Sequence, residues 1–465
     1  MRLKLILLLS FLIRLISLNQ SLWLDEGVTA RVVKTFDFSS IIQNFSPFDF
    51  HPPLYYLFLK LWTNIFGYSE ISLRFPSIIF SLISGFIVYK IGSLLVNKKL
   101  GFWAAVFFLF NPLIIYYSQE ARMYMMTTFF VILTFYFFIK LQKNLQTQNS
   151  KIKTQKLIFE NNLLLMNLFI ILSLFTFYGS IFFILTILVY FLFKKQFKYL
   201  IITTFCFLLS FLLISPLLYQ QWINSKISLI EVKNWSLVLG KANIKNLLLI
   251  PIKFSVGRIS FYPKWLYWLL AGAWMTFVLY QISKIRNQNY KSKIKIDILF
   301  FLACPIFLGF FVSFFIPLLQ YFRFLYLVPL MCLLLFNKLY KSYKIHIILT
   351  FGFLFWSLSY LFIPQFHRED WKGLAYYLKK NKINEVYMIS SSSSDPLIYY
   401  YSNIKINSLK NCQEENSYLI KEKIYVIPYT VEIYGVYYEN CFKNNYQLIK
   451  KEAFRQITLE EYKKL

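Results

Sequence analysis

The chain has 465 residues, of which 58% are hydrophobic, 21% aromatic and only 15% charged. Its mean hydropathy is +0.52, which excludes an ordinary soluble globular protein and indicates a polytopic α-helical membrane protein. The formal net charge is +29, but the lysines lie in short clusters between apolar runs. Because they form no basic-aromatic surface, we expect membrane lipids as partners and no nucleic acid.

The first apolar run covers residues 3–18 and follows Arg2 and Lys4. It resembles a signal peptide, but no small-x-small cleavage site follows it and Arg14 interrupts it. We therefore predict a retained first span with a cytoplasmic N-terminus.

Residues 52–66 are apolar and aromatic, with Lys60 inside them. They are too few for a span, which needs about 20 residues. We predict a juxtamembrane helix that lies on the outer membrane surface.

Ten further spans are predicted, which makes about eleven with the first. They cover residues 73–96, 102–118, 123–141, 163–177, 180–193, 199–218, 265–283, 296–315, 324–339 and 345–363, with a tight outer turn at 177–180. Alternate loops contain the clustered basic residues that are typical of cytoplasmic loops. These residues are Lys98 and Lys99; Lys140, Lys143, Lys151, Lys153 and Lys156; Lys194, Lys195 and Lys198; Lys284, Arg286, Lys291, Lys293 and Lys295; and Lys338, Lys341 and Lys344. The alternation predicts that residues 19–72 and a long loop at 219–264, which would cover a cavity, face outside.

The last segment, residues 364–465, leaves the transmembrane catalytic module at 1–363 and is predicted to form a small extracytoplasmic α/β domain. Strand-like and helical residue patterns alternate here. They predict strands at 386–389 and 424–427, a helix at 371–380 and a polar loop at 390–394. Three of the five cysteines lie in spans as packing residues: Cys206, Cys304 and Cys332. The other two, Cys412 and Cys441, lie in the exported domain, where oxidising conditions permit a disulfide.

Two adjacent carboxylates, Asp25 and Glu26, follow the first span, in a half of the chain where acids are scarce. One interpretation is that Asp25 caps an amphipathic helix at 26–45, with Glu26 in its first turn near the helix dipole. The other is that Asp25 is a catalytic base at the outer mouth of a membrane enzyme. The residues alone leave both open.

Further polar residues lie at the predicted outer ends of spans: His51, Arg74, Glu120, Arg122, Gln320 and Arg323. An isolated arginine there is ordinarily a snorkelling anchor, and an isolated histidine is ordinarily an interface residue. If the turn around Glu120 is helical, Tyr116, Glu120 and Tyr124 share one face. Acids and arginines at one depth suit transfer from an anionic phosphate carrier, since a base deprotonates the acceptor while arginine neutralises the leaving phosphate.

Four motifs carry a resemblance to a known family. They are Leu24-Asp25-Glu26, His51-Pro52-Pro53-Leu54-Tyr55-Tyr56, Leu73-Arg74-Phe75-Pro76-Ser77 and Ser118-Gln119-Glu120-Ala121-Arg122-Met123-Tyr124. Looser blocks follow at Gln320-Tyr321-Phe322-Arg323 and Arg368-Glu369-Asp370-Trp371. The chain resembles bacterial glycosyltransferases of the GT-C membrane fold that are related to protein O-mannosyltransferases and to the aminoarabinose transferase acting on lipid A.

The resemblance implies an inverting transfer of a hexose or pentose from a polyprenyl-phosphate donor to a hydroxyl on the outer face of the cell membrane. It implies Asp25 as the general base, Glu26 as its partner and Arg74 as an arginine near the site. With Arg122 and Arg323, Arg74 is a candidate for binding the donor phosphate. The candidates for positioning sugar or acceptor are His51, Glu120, Tyr124 and Gln320.

Cofactors and acceptor are less constrained by the resemblance. A divalent cation is an alternative role for His51 and Glu120, and no other cofactor is expected. The acceptor is a glycan, a lipid or a protein; the C-terminal part lacks the pattern of a β-trefoil, so a protein acceptor is not specifically implied.

Two other functions remain as alternatives. A lipid-linked glycan transporter or flippase would carry ionisable residues near the bilayer midplane, with broken helices and paired repeats, whereas these residues lie at predicted outer ends. A glycan polymerase or ligase would differ in using a diphosphate-linked donor.

Overall fold

The computed structural model describes residues 1–146, 153–283, 290–335, 343–409, 421–442 and 445–465. Most of these residues are helical. The α-helices are α1 (Arg2–Leu15), α2 (Leu24–Thr35), α3 (Phe38–Ser40), α4 (Leu54–Phe66), α5 (Glu70–Leu95), α6 (Lys98–Leu109), α7 (Pro112–Ser118), α8 (Tyr124–Gln146), α9 (Lys153–Thr176), α10 (Ile181–Phe193), α11 (Phe197–Glu231), α12 (Trp235–Leu239), α13 (Ile244–Val256), α14 (Lys264–Ser283), α15 (Tyr290–Val312), α16 (Val328–Leu334), α17 (Lys344–Phe362), α18 (Trp371–Lys380), α19 (Asp395–Tyr400) and α20 (Val431–Tyr434). The strands are β1 (Glu385–Met388), β2 (Lys405–Ser408), β3 (Lys423–Ile427), β4 (Tyr446–Phe454) and β5 (Ile457–Lys464).

Five helices in the described ranges are long and apolar enough to cross a membrane: α5, α8, α11, α14 and α17. The bent pair of α6 and α7, which meet at 60°, makes a sixth if it is one span. Shorter apolar helical segments occupy Glu160–Thr176, Tyr178–Phe193, Ile296–Val312 and Tyr321–Leu334. The chain is therefore an integral membrane protein with five or six long apolar spans, and the total of eleven stays a prediction.

Each predicted span coincides, over its described residues, with one or two helical segments, and the predicted interfacial helix is α4. The first, α1, has 14 residues and rises about 21 Å, less than the roughly 30 Å of a bilayer's hydrocarbon core. The turn at 177–180 is a 3₁₀ turn, Tyr178–Ser180, as predicted. Some residues used for the predictions lie outside the described ranges: Lys151, Lys284, Arg286, Lys338, Lys341 and Cys412.

The predicted outer loop at 219–264 is largely helical, and its placement outside the membrane stays a prediction. The helix α11 continues to Glu231, and α12 and α13 follow. Residues 217–239 contain neither Gly nor Pro, so nothing breaks the helix where the apolar pattern stops.

The helix that carries the two acids begins at Leu24, with Trp23 as its N-cap residue. Asp25 is already inside the first turn and its side chain caps nothing, so the capping interpretation is wrong. The predicted helix at 26–45 is wrong as well, because α2 ends at Thr35, where Phe36 is extended. Asp37 then caps a separate short turn by accepting the Ser40 N–H at 2.6 Å.

The C-terminal unit contains a five-stranded sheet in the order β2-β1-β3-β5-β4. The strand β1 pairs in parallel with β2 and β3, while β5 pairs antiparallel with β3 and β4. The predicted strands at 386–389 and 424–427 and the helix at 371–380 are confirmed by β1, β3 and α18. Within this unit, Cys441 is disulfide-bonded.

This unit is seated on α2. A side chain at Gly27 would place its Cβ 2.5 Å from the Pro396 nitrogen of α19, so only glycine permits this approach. Arg31 of α2 forms an ion pair with Asp395 at 2.8 Å. The C-terminal unit therefore lies against the helix that carries Asp25 and Glu26.

Candidate functional site

Glu26 and Arg74 form a fully buried ion pair, with both side chains 0% exposed. Arg74 Nε donates to Glu26 Oε1 at 2.9 Å, and its Nη2 donates to Oε2 at 2.6 Å. The Ala121 N–H donates to Oε1 at 2.8 Å. Burial raises the pKa of Glu26, but the charge and hydrogen bonds of Arg74 outweigh that effect and hold it below its ordinary value. Glu26 therefore stays ionised.

The remaining N–H groups of Arg74 are also used. Nη1 donates to the carbonyl oxygens of Leu18 at 2.8 Å and Gln20 at 2.7 Å, and Nη2 donates to that of Ser21 at 3.0 Å. A guanidinium has five N–H donors, and all five are bonded inside the protein. This geometry favours a structural role in which the pair fixes α2 to α5. The predicted roles of Arg74 in binding a phosphate and of Glu26 as the partner of the base stay predictions.

The turn between α7 and α8 is not helical, since α7 ends at Ser118 and α8 begins at Tyr124. The expectation that Tyr116, Glu120 and Tyr124 share a helix face is therefore wrong. In this bend the side chains of Glu120 and Arg122 reach different partners.

Glu120 is 1% exposed and pairs with Arg368, whose Nη2 donates to Oε2 at 2.6 Å. Arg368 comes from the segment that leads into the C-terminal unit, and its guanidinium lies 4.2 Å from the Trp23 ring centroid. Glu120 Oε1 has no hydrogen-bond partner among the described residues. Burial raises the pKa of Glu120 to about 7, with Arg368 opposing the shift. Residues 368–371 form one of the looser motifs of the family resemblance. Nothing in that motif indicates that Arg368 pairs with Glu120.

Asp25 differs from both other acids, because its side chain is 36% exposed. Arg122 Nη2 lies 3.7 Å from Asp25 Oδ2, and Arg122 Nη1 donates to Tyr56 Oη at 2.8 Å. Arg122 itself is only 4% exposed. A buried guanidinium thus lies beside an accessible carboxylate.

A fourth acid, Asp49, was not identified from the sequence. His51 Nδ1 lies 3.2 Å from Asp49 Oδ1. Burial raises the pKa of Asp49, but the charges of His51 and Arg122 outweigh that effect and hold it below the usual range. Arg122 therefore acts on both Asp25 and Asp49, and the position of Asp49 two residues before His51 was the available signal.

Two further predicted residues, His51 and Tyr124, are linked by aromatic contacts through Phe177. The Tyr124 ring contacts Phe177 and Phe322, with centroids 5.9 and 5.5 Å apart, and Phe177 stacks on His51 at 6.2 Å. Arg323 follows Phe322, and its side chain makes no hydrogen bond or ion pair with the described residues. Its guanidinium is thus available to a ligand.

Gln320 does not join this group. Its Nε2 donates to the Val238 carbonyl oxygen at 2.9 Å, so it supports the segment after α11.

Arg258 is a further cation that the sequence did not single out, because no acid or motif surrounds it. It is exposed, and its Nη1 donates to Tyr116 Oη at 2.7 Å. With Arg368 and Glu369 it lines a cavity of about 220 Å³, which we call the basic cavity. Trp23, two residues before Asp25, lies under both guanidinium groups, 5.6 Å from that of Arg258.

No group of three or more His, Cys, Asp or Glu side chains within the described ranges is arranged to hold a metal ion. His51 pairs with Asp49 and Glu120 with Arg368. The predicted cation role of His51 and Glu120 gains no support from these contacts.

Residues 50–220 match the family described as dolichyl-phosphate-mannose-protein mannosyltransferase. No curated protein sequence matches the chain.

Among solved structures, ArnT from Cupriavidus metallidurans in the apo state is similar over 98% of this chain and 97% of its own, with a TM-score of 0.60 and 8% identity. ArnT bound to undecaprenyl phosphate has a TM-score of 0.59 at the same coverage and identity. The archaeal oligosaccharyltransferase AglB from Archaeoglobus fulgidus, in complex with an inhibitory peptide and a dolichol-phosphate, matches over 92% of this chain and 70% of its own, with a TM-score of 0.53 and 13% identity. At these identities the likeness establishes the fold.

Proposed function

We propose that this chain, a GT-C fold protein related to the protein mannosyltransferases and to ArnT, transfers a sugar from a polyprenyl-phosphate donor to an acceptor hydroxyl, with inversion at the anomeric carbon. The contrast among three acids carries the proposal. Glu26 and Glu120 are buried against Arg74 and Arg368, while Asp25 is accessible beside Arg122.

The donor class is supported by the structural relatives. One ArnT structure contains undecaprenyl phosphate and the AglB structure contains a dolichol-phosphate. Both carriers are lipid phosphates, and a monophosphate-linked sugar is the corresponding donor for this chain.

The reaction is a single displacement. The acceptor hydroxyl gives its proton to the Asp25 carboxylate, and its oxygen forms the new bond to the anomeric carbon. The bond from that carbon to the phosphate oxygen breaks, and the electron pair leaves with polyprenyl phosphate. Because the attack comes from the face opposite the phosphate, the configuration inverts.

Cations that are free to reach a ligand are the better candidates for the leaving phosphate. Arg323 makes no hydrogen bond or ion pair with the described residues, and Arg258 is exposed at the basic cavity. A positioned guanidinium stabilises the negative charge that develops on the phosphate oxygens. Arg122, which contacts Asp25, orients the base, while Arg74 holds the helix that carries it. His51 and Tyr124, whose rings both contact Phe177, are the candidates for positioning the sugar.

The proposed setting is the outer face of the cell membrane. Loop lysines support about eleven spans with a cytoplasmic N-terminus, and an odd number of spans puts the C-terminal unit outside. The catalytic module then comprises residues 1–363 and the outer domain residues 364–465.

Substituting Asp25→Asn tests the function directly. A general base contributes about 10²- to 10⁴-fold to rate, so we expect transfer to fall by at least about a hundredfold in purified protein supplied with donor and acceptor. The matched control is Asp37→Asn, a fully exposed acid on the same segment whose capping role asparagine retains. Near-normal turnover of the Asp25 variant would eliminate Asp25 as the base.

A further inference from the structure

A second cavity, of about 830 Å³, lies between α2 and the C-terminal unit. We call it the acidic cavity. On the side of the membrane module it is lined by Asn44, Phe48 and Asp49, and on the side of the C-terminal unit by Ser391, Ser392 and Asp395. Its volume is within the roughly 300–1,000 Å³ of small-molecule sites.

The acidic cavity differs from the basic cavity in charge. Two carboxylates line it, Asp49 and Asp395, and its single cationic lining residue, Arg31, is already paired with Asp395 at 2.8 Å. Asp49 Oδ2 accepts no hydrogen bond from the described residues. The carboxylate of Asp49 is already compensated by His51 and Arg122. An anionic ligand would therefore find two carboxylates and no free cation among the lining residues, which disfavours a phosphorylated molecule or an acidic sugar.

The remaining lining groups suit a molecule that is rich in hydroxyls. Asn44, Ser391 and Ser392 are exposed and offer amide and hydroxyl groups that both donate and accept hydrogen bonds. The Phe48 ring is 67% exposed and provides an apolar face. Sugar rings combine hydroxyl edges with apolar C–H faces, so they match this combination.

The acidic cavity also extends toward the proposed base. Val28, which lines it, is three residues after Asp25 and thus on the same face of α2. The charge of Asp49 acts on Arg122, which lies 3.7 Å from Asp25. Trp23, the cap residue on the other side of Asp25, lies at the basic cavity under Arg258 and Arg368.

We propose that the acidic cavity binds the acceptor and that the acceptor is a neutral glycan. This assignment rests on the proposed function: the anionic donor approaches from the basic side of Asp25 and the neutral acceptor from the acidic side. Glycan hydroxyls hydrogen-bond to Asn44 and to the exposed Ser391 and Ser392, while a neighbouring sugar ring covers Phe48.

Binding of labelled full-length protein to immobilised glycans tests the proposal. The panel contains neutral oligosaccharides, the same oligosaccharides carrying phosphate, and uronic-acid glycans; vesicles of anionic phospholipid are measured alongside. We expect binding to neutral members, weakened about tenfold or more by Phe48→Ala and by Asn44→Ala. The matched control is Phe38→Ala, since Phe38 is 45% exposed on the same segment but does not line the cavity.

Binding confined to the charged glycans or to the vesicles would overturn the proposal, and so would an absence of binding to every glycan. Binding of polyprenyl phosphate to the same preparation separates this outcome from failure of the proposed function. Protein that binds polyprenyl phosphate but no neutral glycan refutes only the acceptor assignment. Protein that binds neutral glycans but no polyprenyl phosphate refutes the proposed donor.

Discussion

Replacing Arg74 with Met removes a guanidinium whose five N–H groups are all bonded inside the protein. Two consequences follow at once. Glu26 becomes a fully buried carboxylate without its counter-ion, and the carbonyl oxygens of Leu18, Gln20 and Ser21 lose their donor. A structural role for Arg74 therefore predicts a loss of stability.

The loss can be bounded from these contacts. Removing one partner of a buried ion pair costs about 3–5 kcal/mol, and each carbonyl oxygen left without a donor adds about 1–3 kcal/mol if water cannot reach it. Glu26→Gln is expected to cost less, because the amide oxygen still accepts from the Ala121 N–H. In the double variant no uncompensated carboxylate remains, so its loss should be smaller than the sum of the two single losses.

The assay is the apparent Tm of parent, single and double variants in one detergent, together with KM for the donor. The control Lys90→Met changes an exposed cation on the same helix and should leave Tm within experimental error. If Arg74→Met keeps the parent Tm but raises KM tenfold, Arg74 binds the donor and the structural reasoning is wrong.

Two further predictions concern charges in the site. Arg323→Met should leave Tm unchanged and raise KM for the donor about ten- to a hundredfold, the worth of a hydrogen bond to a charged group; an unchanged KM would exclude Arg323 from the donor site. Glu120 has a folded-state pKa raised to about 7 from 4.5, so its contribution to stability is fully present below pH 4.5 and is lost as pH rises through 7. Glu120→Gln should remove this decline in Tm between pH 5 and 8, and a decline of equal size in the variant would assign it to another group.

Sequence patterns were sufficient for the features that depend on local chemistry. Hydropathy located the long spans, because the cost of burying a charge in lipid shapes each segment independently. Short motifs located Asp25, Glu120 and Arg122, and the membrane fold that they implied agrees with the likeness to ArnT. The local residue pattern of strands and helices found β1, β3 and α18, because each element carries its own apolar positions. The end of α11 was missed, since apolar periodicity ends at the membrane surface while the helix does not.

The tertiary structure alone decided which cation neutralises which acid. Glu26 meets Arg74 across 48 residues and Glu120 meets Arg368 across 248. No local pattern encodes such partners, because they depend on how helices and the C-terminal unit pack. The packing buried two of the three predicted acids in ion pairs and left Asp25 accessible. It also brought Asp49 near Arg122 and Arg258 to Tyr116. The residue types near the predicted membrane surface thus indicated the class of chemistry. The long-range contacts determined which acid remains accessible for it.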